Sequence, residues 1–99
     1  MSLEPALSRL KALEGNLRAQ GVSSLRLFGS QARNEGGPAS DIDVMFDIAP
    51  NARFSLFDQA RIARQLSELL GAKVDLVPRR SLHPVVKARA EAESITIFG

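Results

Sequence analysis

Apolar and polar side chains alternate along residues 41–48, and this pattern constrains the fold more than any other feature of the sequence. It predicts a β-strand with one buried face, because successive side chains of a strand point to opposite sides of a sheet. The apolar face is Ile42, Val44, Phe46 and Ile48, and the opposite face is Asp41, Asp43, Met45 and Asp47. A buried apolar face fixes this register, so Asp41 and Asp43 point the same way, with Cα atoms roughly 6.5–7 Å apart. Two such carboxylates repel each other, and a divalent cation between them relieves the repulsion.

The rest of the chain reads as alternating helices and strands. Leucines at spacings of three and four predict an amphipathic helix over residues 3–20. The other predicted elements are strands over 22–28, 41–48 and 72–77, a helical turn over 30–34, a loop over 34–40, helices over 55–70 and 83–92, and a tail or short edge strand over 94–98. This order predicts an α/β fold, a small mixed sheet flanked by helices, in a single domain spanning residues 1–99.

Connections between the strands limit how the predicted sheet is assembled. The helix over 55–70 lies between the second and third strands, which predicts a right-handed parallel crossover. The first and second strands are joined by a turn and a loop, and this connection allows either orientation.

Composition limits the chemistry that is available to the chain. There are no cysteines and one histidine, His83, so a metal site must be built from oxygen ligands, which favours Mg²⁺ or Mn²⁺. The net charge of +2 and the absence of tryptophan and tyrosine make nucleic acid an unlikely direct partner. Without an apolar run of about 18 residues or a basic-then-apolar leader, we expect a cytoplasmic protein with no membrane span.

Two further features lie near the acidic strand in the predicted fold. Gly29 and Ser30 stand between a strand and a helical turn, where free backbone N–H groups form a site for anions. Asp75 is an isolated carboxylate between Val74 and Leu76 in the third strand. If the third strand lies beside the second, Asp75 joins Asp41 and Asp43; if it lies elsewhere, Asp75 must pair with a basic group or sit at an exposed strand end.

The spacing of these residues resembles a known signature. Gly29 and Ser30 are followed by ten residues and then by Asp41 and Asp43, as in the Gly-Ser-x10-Asp-x-Asp pattern of the DNA polymerase beta-type nucleotidyltransferase superfamily. Three segments look most like its minimal nucleotidyltransferase (MNT) branch: residues 28–33, 40–43 and 73–77. The resemblance covers about residues 22–98 and implies the polymerase beta-type nucleotidyltransferase fold.

The resemblance also implies roles for individual residues. Asp41, Asp43 and Asp75 are expected to be catalytic and to bind two Mg²⁺ ions, and Gly29 and Ser30 to hold the triphosphate of ATP. A further phosphate contact is predicted for Arg33, one turn into the helical segment, with a solvated side chain as the equal alternative. Asp47 is expected to be a surface residue, and the pair Arg79 and Arg80 to be solvated.

MNT proteins serve as antitoxins of HEPN-domain ribonucleases, which they neutralise by transferring AMP from ATP onto a tyrosine of the toxin. The resemblance therefore implies a protein adenylyltransferase that forms a hetero-oligomer with a HEPN toxin on a separate chain. Two alternatives stay open. The chain acts mainly by binding and masking the toxin, or it is a nucleotidyltransferase that acts on RNA or a small molecule.

Overall fold

The computed structural model describes residues 3–29 and 41–99. The helices are α1 (Leu3–Ala12), α2 (Glu14–Ala19), α3 (Leu56–Leu70) and α4 (Pro84–Glu93), with a 3₁₀ turn at Arg79–Ser81. The strands are β1 (Val22–Phe28), β2 (Ile42–Ile48), β3 (Val74–Pro78) and β4 (Ile95–Phe98). The predicted fold class, a mixed sheet flanked by helices, is confirmed.

Strand order places the third strand beside the acidic one. The four strands form one sheet in the order β3-β2-β1-β4. Strands β2 and β3 are parallel and are joined through α3, as predicted, and β1 is antiparallel to both β2 and β4. Residues 94–98, predicted as a tail or edge strand, supply the edge strand β4.

The main core lies on one face of the sheet, beneath α1, α2 and α3. Its fully buried side chains include residues from these helices and from the two central strands: Leu10, Leu17, Leu25, Leu27, Ile42, Val44, Phe46, Ile62 and Leu66. Each side chain of this size stabilises the fold by roughly 1.5–3 kcal/mol through its burial. The predicted apolar face of β2 therefore points into the core.

Helix α4 packs on the opposite face of the sheet, where it contacts β1. Ala90 of this helix is buried, and so is Met45, although neither belongs to the main core. Met45 lies on the same face of β2 as Asp43 and Asp47, and this face is therefore not acidic and exposed along its whole length. A helix that follows β3 in the chain returns over this face, which strand alternation alone does not reveal.

The single helix predicted over residues 3–20 is wrong, because the chain forms two helices that break at Leu13. The backbone N–H of Leu13 donates to Leu10 O at 3.1 Å, a three-residue step that tightens the turn. Gly15 follows at the start of α2 and has a low intrinsic helix propensity. The break keeps both Leu10 and Leu17 buried in one core.

Helix α3 begins and ends where its sequence predicts. Ser55 is the N-cap and forms a capping box with Asp58, and Gly71 ends the helix in the left-handed conformation at φ 67°. Within the described part of the chain, the search for a helix long and apolar enough to span a membrane found none.

Candidate active site

Two of the predicted site residues lie side by side at the first residues of the parallel strands. Asp43 on β2 is in register with Asp75 on β3. Paired strands lie about 4.8 Å apart and in-register side chains point to the same face, so the two carboxylates project together. Asp75 is exposed. The adjacency of β3 to β2 is what brings it beside Asp43.

Gly29 approaches the same carboxylate from β1. It follows Phe28, which is the register partner of Asp43, and it has a φ of 75°. A Cβ on Gly29 would overlap the carboxylate oxygen Oδ2 of Asp43 and would lie 3.1 Å from its Cγ. Both the left-handed φ and the missing space require glycine here.

Asp41 lies just before β2 and is exposed, as is Asp75. Its Oδ2 is 3.8 Å from Nζ of Lys73, and the side chains are 53% and 78% exposed. An ion pair this open contributes little to stability, on the order of 0–1 kcal/mol, so Asp41 can turn away from Lys73 at little cost. Within residues 3–29 and 41–99, no three acidic or imidazole side chains are already gathered for one cation.

Ser30 and Arg33 lie outside the described residues. Their predicted contacts with nucleotide phosphates therefore stay predictions.

The donor set suits a hard cation. Mg²⁺ binds through one or two protein carboxylates and completes its coordination with phosphate oxygens and water. The in-register pair of Asp43 and Asp75 supplies those two carboxylates, and Asp41 is near enough in sequence to supply a third. The missing side chain of Gly29 lets the Asp43 carboxylate lie against the backbone of this glycine.

Asp47, at the other end of β2, was predicted to be a surface residue, and this is wrong. Its Oδ1 accepts from Arg79 Nε at 3.0 Å, and its Oδ2 accepts from Ser24 Oγ at 2.5 Å and lies 2.7 Å from Arg79 Nη2. Arg79 is correspondingly not solvated, whereas Arg80 is exposed. The signal that sequence reasoning overlooked was an acid and an arginine at matching ends of neighbouring strands.

A cleft of about 180 Å³ lies between the end of β1 and helix α4. It is lined by Phe28, Gly29, Val86, Arg89, Ala90 and Glu93. Because Gly29 also touches Asp43, the cleft and the acidic pair are neighbours. No sequence motif indicated this part of the site.

Comparison with known proteins agrees with this geometry. Residues 9–97 match the protein family described as "Nucleotidyltransferase domain". The chain belongs to that family. The enzyme class predicted from the sequence, a nucleotidyltransferase, is thereby confirmed, and so is the recognised family.

Two relatives from archaea cover most of the chain. A Methanocaldococcus jannaschii protein with the provisional name protein adenylyltransferase is 37% identical over 82 residues, which is 83% of this chain and 86% of the relative. A Thermococcus cleftensis protein named protein adenylyltransferase MntA is 36% identical over 83 residues, which is 83% of this chain and 82% of the relative.

Solved structures of nucleotidyltransferases have the same fold. A protein provisionally named a minimal nucleotidyltransferase superposes with a TM-score of 0.82 at 34% identity, covering 96% of this chain and 95% of the other. A chain in the complex of a tri-AMPylated Shewanella oneidensis HEPN toxin with an MNT antitoxin gives a TM-score of 0.67 over 95% of this chain and 72% of that one. At 21% identity, this second likeness shows the fold alone.

Proposed function

We propose that this chain is an Mg²⁺-dependent adenylyltransferase that transfers AMP from ATP onto a tyrosine of a cognate HEPN toxin and so neutralises it. The observation that carries the proposal is the in-register pair of Asp43 and Asp75 beside Gly29. The names of the adenylyltransferase relatives and the AMPylated toxin complex among the structural neighbours support the choice of AMP and of a toxin as acceptor.

The carboxylates would hold the metal. Asp43 lies on β2, between β1 and β3, and would bind the cation from the centre of the site. Asp75 lies beside it on β3, and Asp41 would be the third carboxylate ligand. When bound, Mg²⁺ neutralises the phosphates and stabilises the charge that develops on the oxygens of an in-line displacement. Gly29 lacks the side chain that would displace the Asp43 carboxylate, and its backbone would contribute to holding the triphosphate beside that carboxylate.

The reaction is a displacement at the α-phosphorus of ATP. The tyrosine oxygen forms a new bond to this phosphorus, the bond from phosphorus to the oxygen bridging the α- and β-phosphates breaks, and pyrophosphate leaves. Asp75 accepts the proton of the hydroxyl, because it is the exposed carboxylate at the open side of the pair. The acceptor therefore enters from the β3 side of the site.

Co-expression with a HEPN protein encoded beside this chain is the direct test. Intact-mass analysis should find the partner heavier by one or more AMP units, and its ribonuclease activity should fall. A partner that keeps its unmodified mass but is fully inhibited would contradict the proposal.

Masking of the toxin is the second candidate, and one observation favours it. Leu56 and Phe57 at the start of α3 are 81% and 85% exposed, and adjacent exposed apolar side chains are typical of binding surfaces. The Asp41→Asn, Asp43→Asn double variant separates the two functions. Under the main proposal it binds the toxin without modifying or neutralising it, whereas neutralisation at equal stoichiometry would favour masking.

A further inference from the structure

Arg89 is the cationic side chain that lines the cleft beside Gly29. It lies on α4 and is exposed. The carboxylates of residues 3–29 and 41–99, including Glu93 four positions along the helix, make no ion pair with it. Two other cations near the sheet have carboxylate partners: Lys73 lies near Asp41, and Arg79 is bound to Asp47. Arg89 is therefore available to an anionic ligand.

The helix that carries Arg89 is fixed to the sheet. Ala90, the next residue, is buried, and Glu91 lies 3.9 Å from Arg79 Nη1. At the end of α4, Arg26 Nη1 donates to Ser94 Oγ at 3.3 Å. These contacts hold the backbone of Arg89 at the cleft, so that only its side chain must be ordered when a ligand binds.

In-line chemistry decides which part of the nucleotide reaches this cleft. The strand order places β3 and Asp75 on one side of Asp43, and β1, Gly29 and the cleft on the other. The attacking and leaving oxygens stand on opposite sides of the phosphorus. If the acceptor hydroxyl is at Asp75, as the proposed function requires, the leaving pyrophosphate points toward Gly29 and Arg89.

We propose that Arg89 binds the β- and γ-phosphates of the nucleotide and stabilises pyrophosphate as it leaves. A guanidinium presents two parallel N–H donors to a phosphate, which suits this task better than a single ammonium. This inference rests on the proposed function and assigns a phosphate contact within it.

Binding measurements on the full chain test the inference without requiring the toxin. Dissociation constants for ATP, pyrophosphate and AMP are measured by calorimetry with Mg²⁺ for the wild type, Arg89→Gln and Arg89→Lys. We expect Arg89→Gln to weaken ATP and pyrophosphate binding by about ten- to a hundredfold, the range for a lost hydrogen bond to a charged group. AMP binding should be unchanged, because AMP lacks the two outer phosphates. Arg89→Lys should fall between, since it keeps the charge but loses the paired donors.

Arg80→Gln is the matched control, because it removes an exposed arginine that follows β3 at the far end of the strands. Arg80→Gln should leave the dissociation constants for ATP, pyrophosphate and AMP unchanged. None of the three variants should shift the thermal midpoint of unfolding. ATP and pyrophosphate affinities that are unchanged in Arg89→Gln would overturn the inference, and so would an equal loss for AMP and ATP. A wild type that binds neither ATP nor pyrophosphate would overturn the proposed function as well.

Discussion

Strand β2 carries an aspartate near each end, on the same face of the sheet, and the two aspartates have different surroundings. Asp47 at one end accepts hydrogen bonds from Arg79 and Ser24, and its side chain is 24% exposed. Asp43 at the other end stands in register with a second acid, Asp75, and against the backbone of Gly29. What distinguishes Asp43 from Asp47 is therefore the second carboxylate, Asp75, that lies in register beside it.

This difference shows what separates a structural acid from a functional one. A carboxylate that contributes to stability has its charge matched by donors of the same chain. Two acids side by side cost free energy until a metal binds between them, so the repulsion has no use in folding alone. The neighbours of each aspartate in the fold, and not its place in a motif, distinguish the two cases.

Neutralising the acids of the site should have the largest effect on activity. We expect Asp43→Asn and Asp75→Asn each to reduce AMP transfer to an undetectable rate, because each removes a carboxylate from the pair that would hold Mg²⁺. Asp75→Asn should not lower the thermal midpoint of the metal-free protein, since it relieves repulsion with Asp43. The measurements are the transfer rate per folded molecule and thermal unfolding with and without Mg²⁺ and ATP.

A clear drop in metal-free stability for Asp75→Asn, with transfer preserved, would contradict the assignment of Asp75 to the site. That result would make Asp75 half of a structural ion pair like Asp47. A fall in the transfer rate together with an unchanged thermal midpoint would show that Asp75 serves activity and not stability.

Gly29 and Gly71 offer a matched test of the space beside Asp43. Both have a left-handed backbone, with φ of 75° and 67°, but a Cβ on Gly71 would meet open space. Gly71→Ala should therefore cost only the conformational term of about 1–2 kcal/mol and leave ATP affinity intact. Gly29→Ala should carry the same strain and also displace the Asp43 carboxylate, so that binding of ATP with Mg²⁺ is lost. Equal ATP affinity in the two variants would remove Gly29 from the site.

Substitution of Asp47, near the other end of β2, should lower stability and leave AMP transfer unchanged. Asp47→Ala removes the partner of the half-buried Arg79, whose side chain is 30% exposed, and we expect a loss of about 1.5–3 kcal/mol in the free energy of unfolding. Transfer per folded molecule should stay near the wild-type rate. Urea unfolding measures the first quantity. The double variant Asp47→Ala, Arg79→Met should recover part of the loss, because the half-buried Arg79 guanidinium is no longer left without the Asp47 carboxylate. An Asp47→Ala variant as stable as the wild type would show that the ion pair of Asp47 with Arg79 contributes as little as an exposed one.

Much of the fold could be predicted because local signals and tertiary packing agree. The alternation along β2, the cap at Ser55 and the left-handed stop at Gly71 each correspond to the observed element. The helix between β2 and β3 predicted their parallel orientation, whereas the place of Asp75 beside Asp43 depends on the observed strand order. These predictions succeeded because strand period and helix ends depend on residues that are adjacent in sequence.

Features that depend on distant residues were missed. Met45 is buried by a helix that lies about 40 positions further along the chain, and the pairing of Asp47 with Arg79 depends on how the end of β3 meets β2. The cleft that contains Arg89 is formed by β1 and α4, which are joined by no motif. The alternation of apolar and polar residues along one strand does not predict which element packs against its second face.

Asp58 provides the smallest test, as an acid that is matched by its own chain in the first turn of α3. The backbone N–H of Ser55 donates to its Oδ2 at 2.8 Å, Arg61 Nη2 donates to its Oδ1 at 2.6 Å, and these contacts lower the pKa of Asp58 below its ordinary value. A lowered pKa in the folded state means that the charged carboxylate stabilises the fold above the ordinary aspartate pKa of about 3.9. That contribution is lost as the pH falls through the folded-state value.

We therefore expect Asp58→Asn to be slightly less stable than the wild type at pH 7, with the difference shrinking as the pH falls below the ordinary aspartate pKa toward the lowered pKa of the folded state. Ser55→Ala, which removes the cap itself, should cost about 1 kcal/mol throughout. Urea midpoints across this pH range give both values. The same series on Asp75→Asn should show no loss at pH 7, because its charge is opposed by Asp43 and not matched by a donor. A pH profile for Asp75→Asn that follows the Asp58→Asn profile would contradict the distinction between the two ends of the strand.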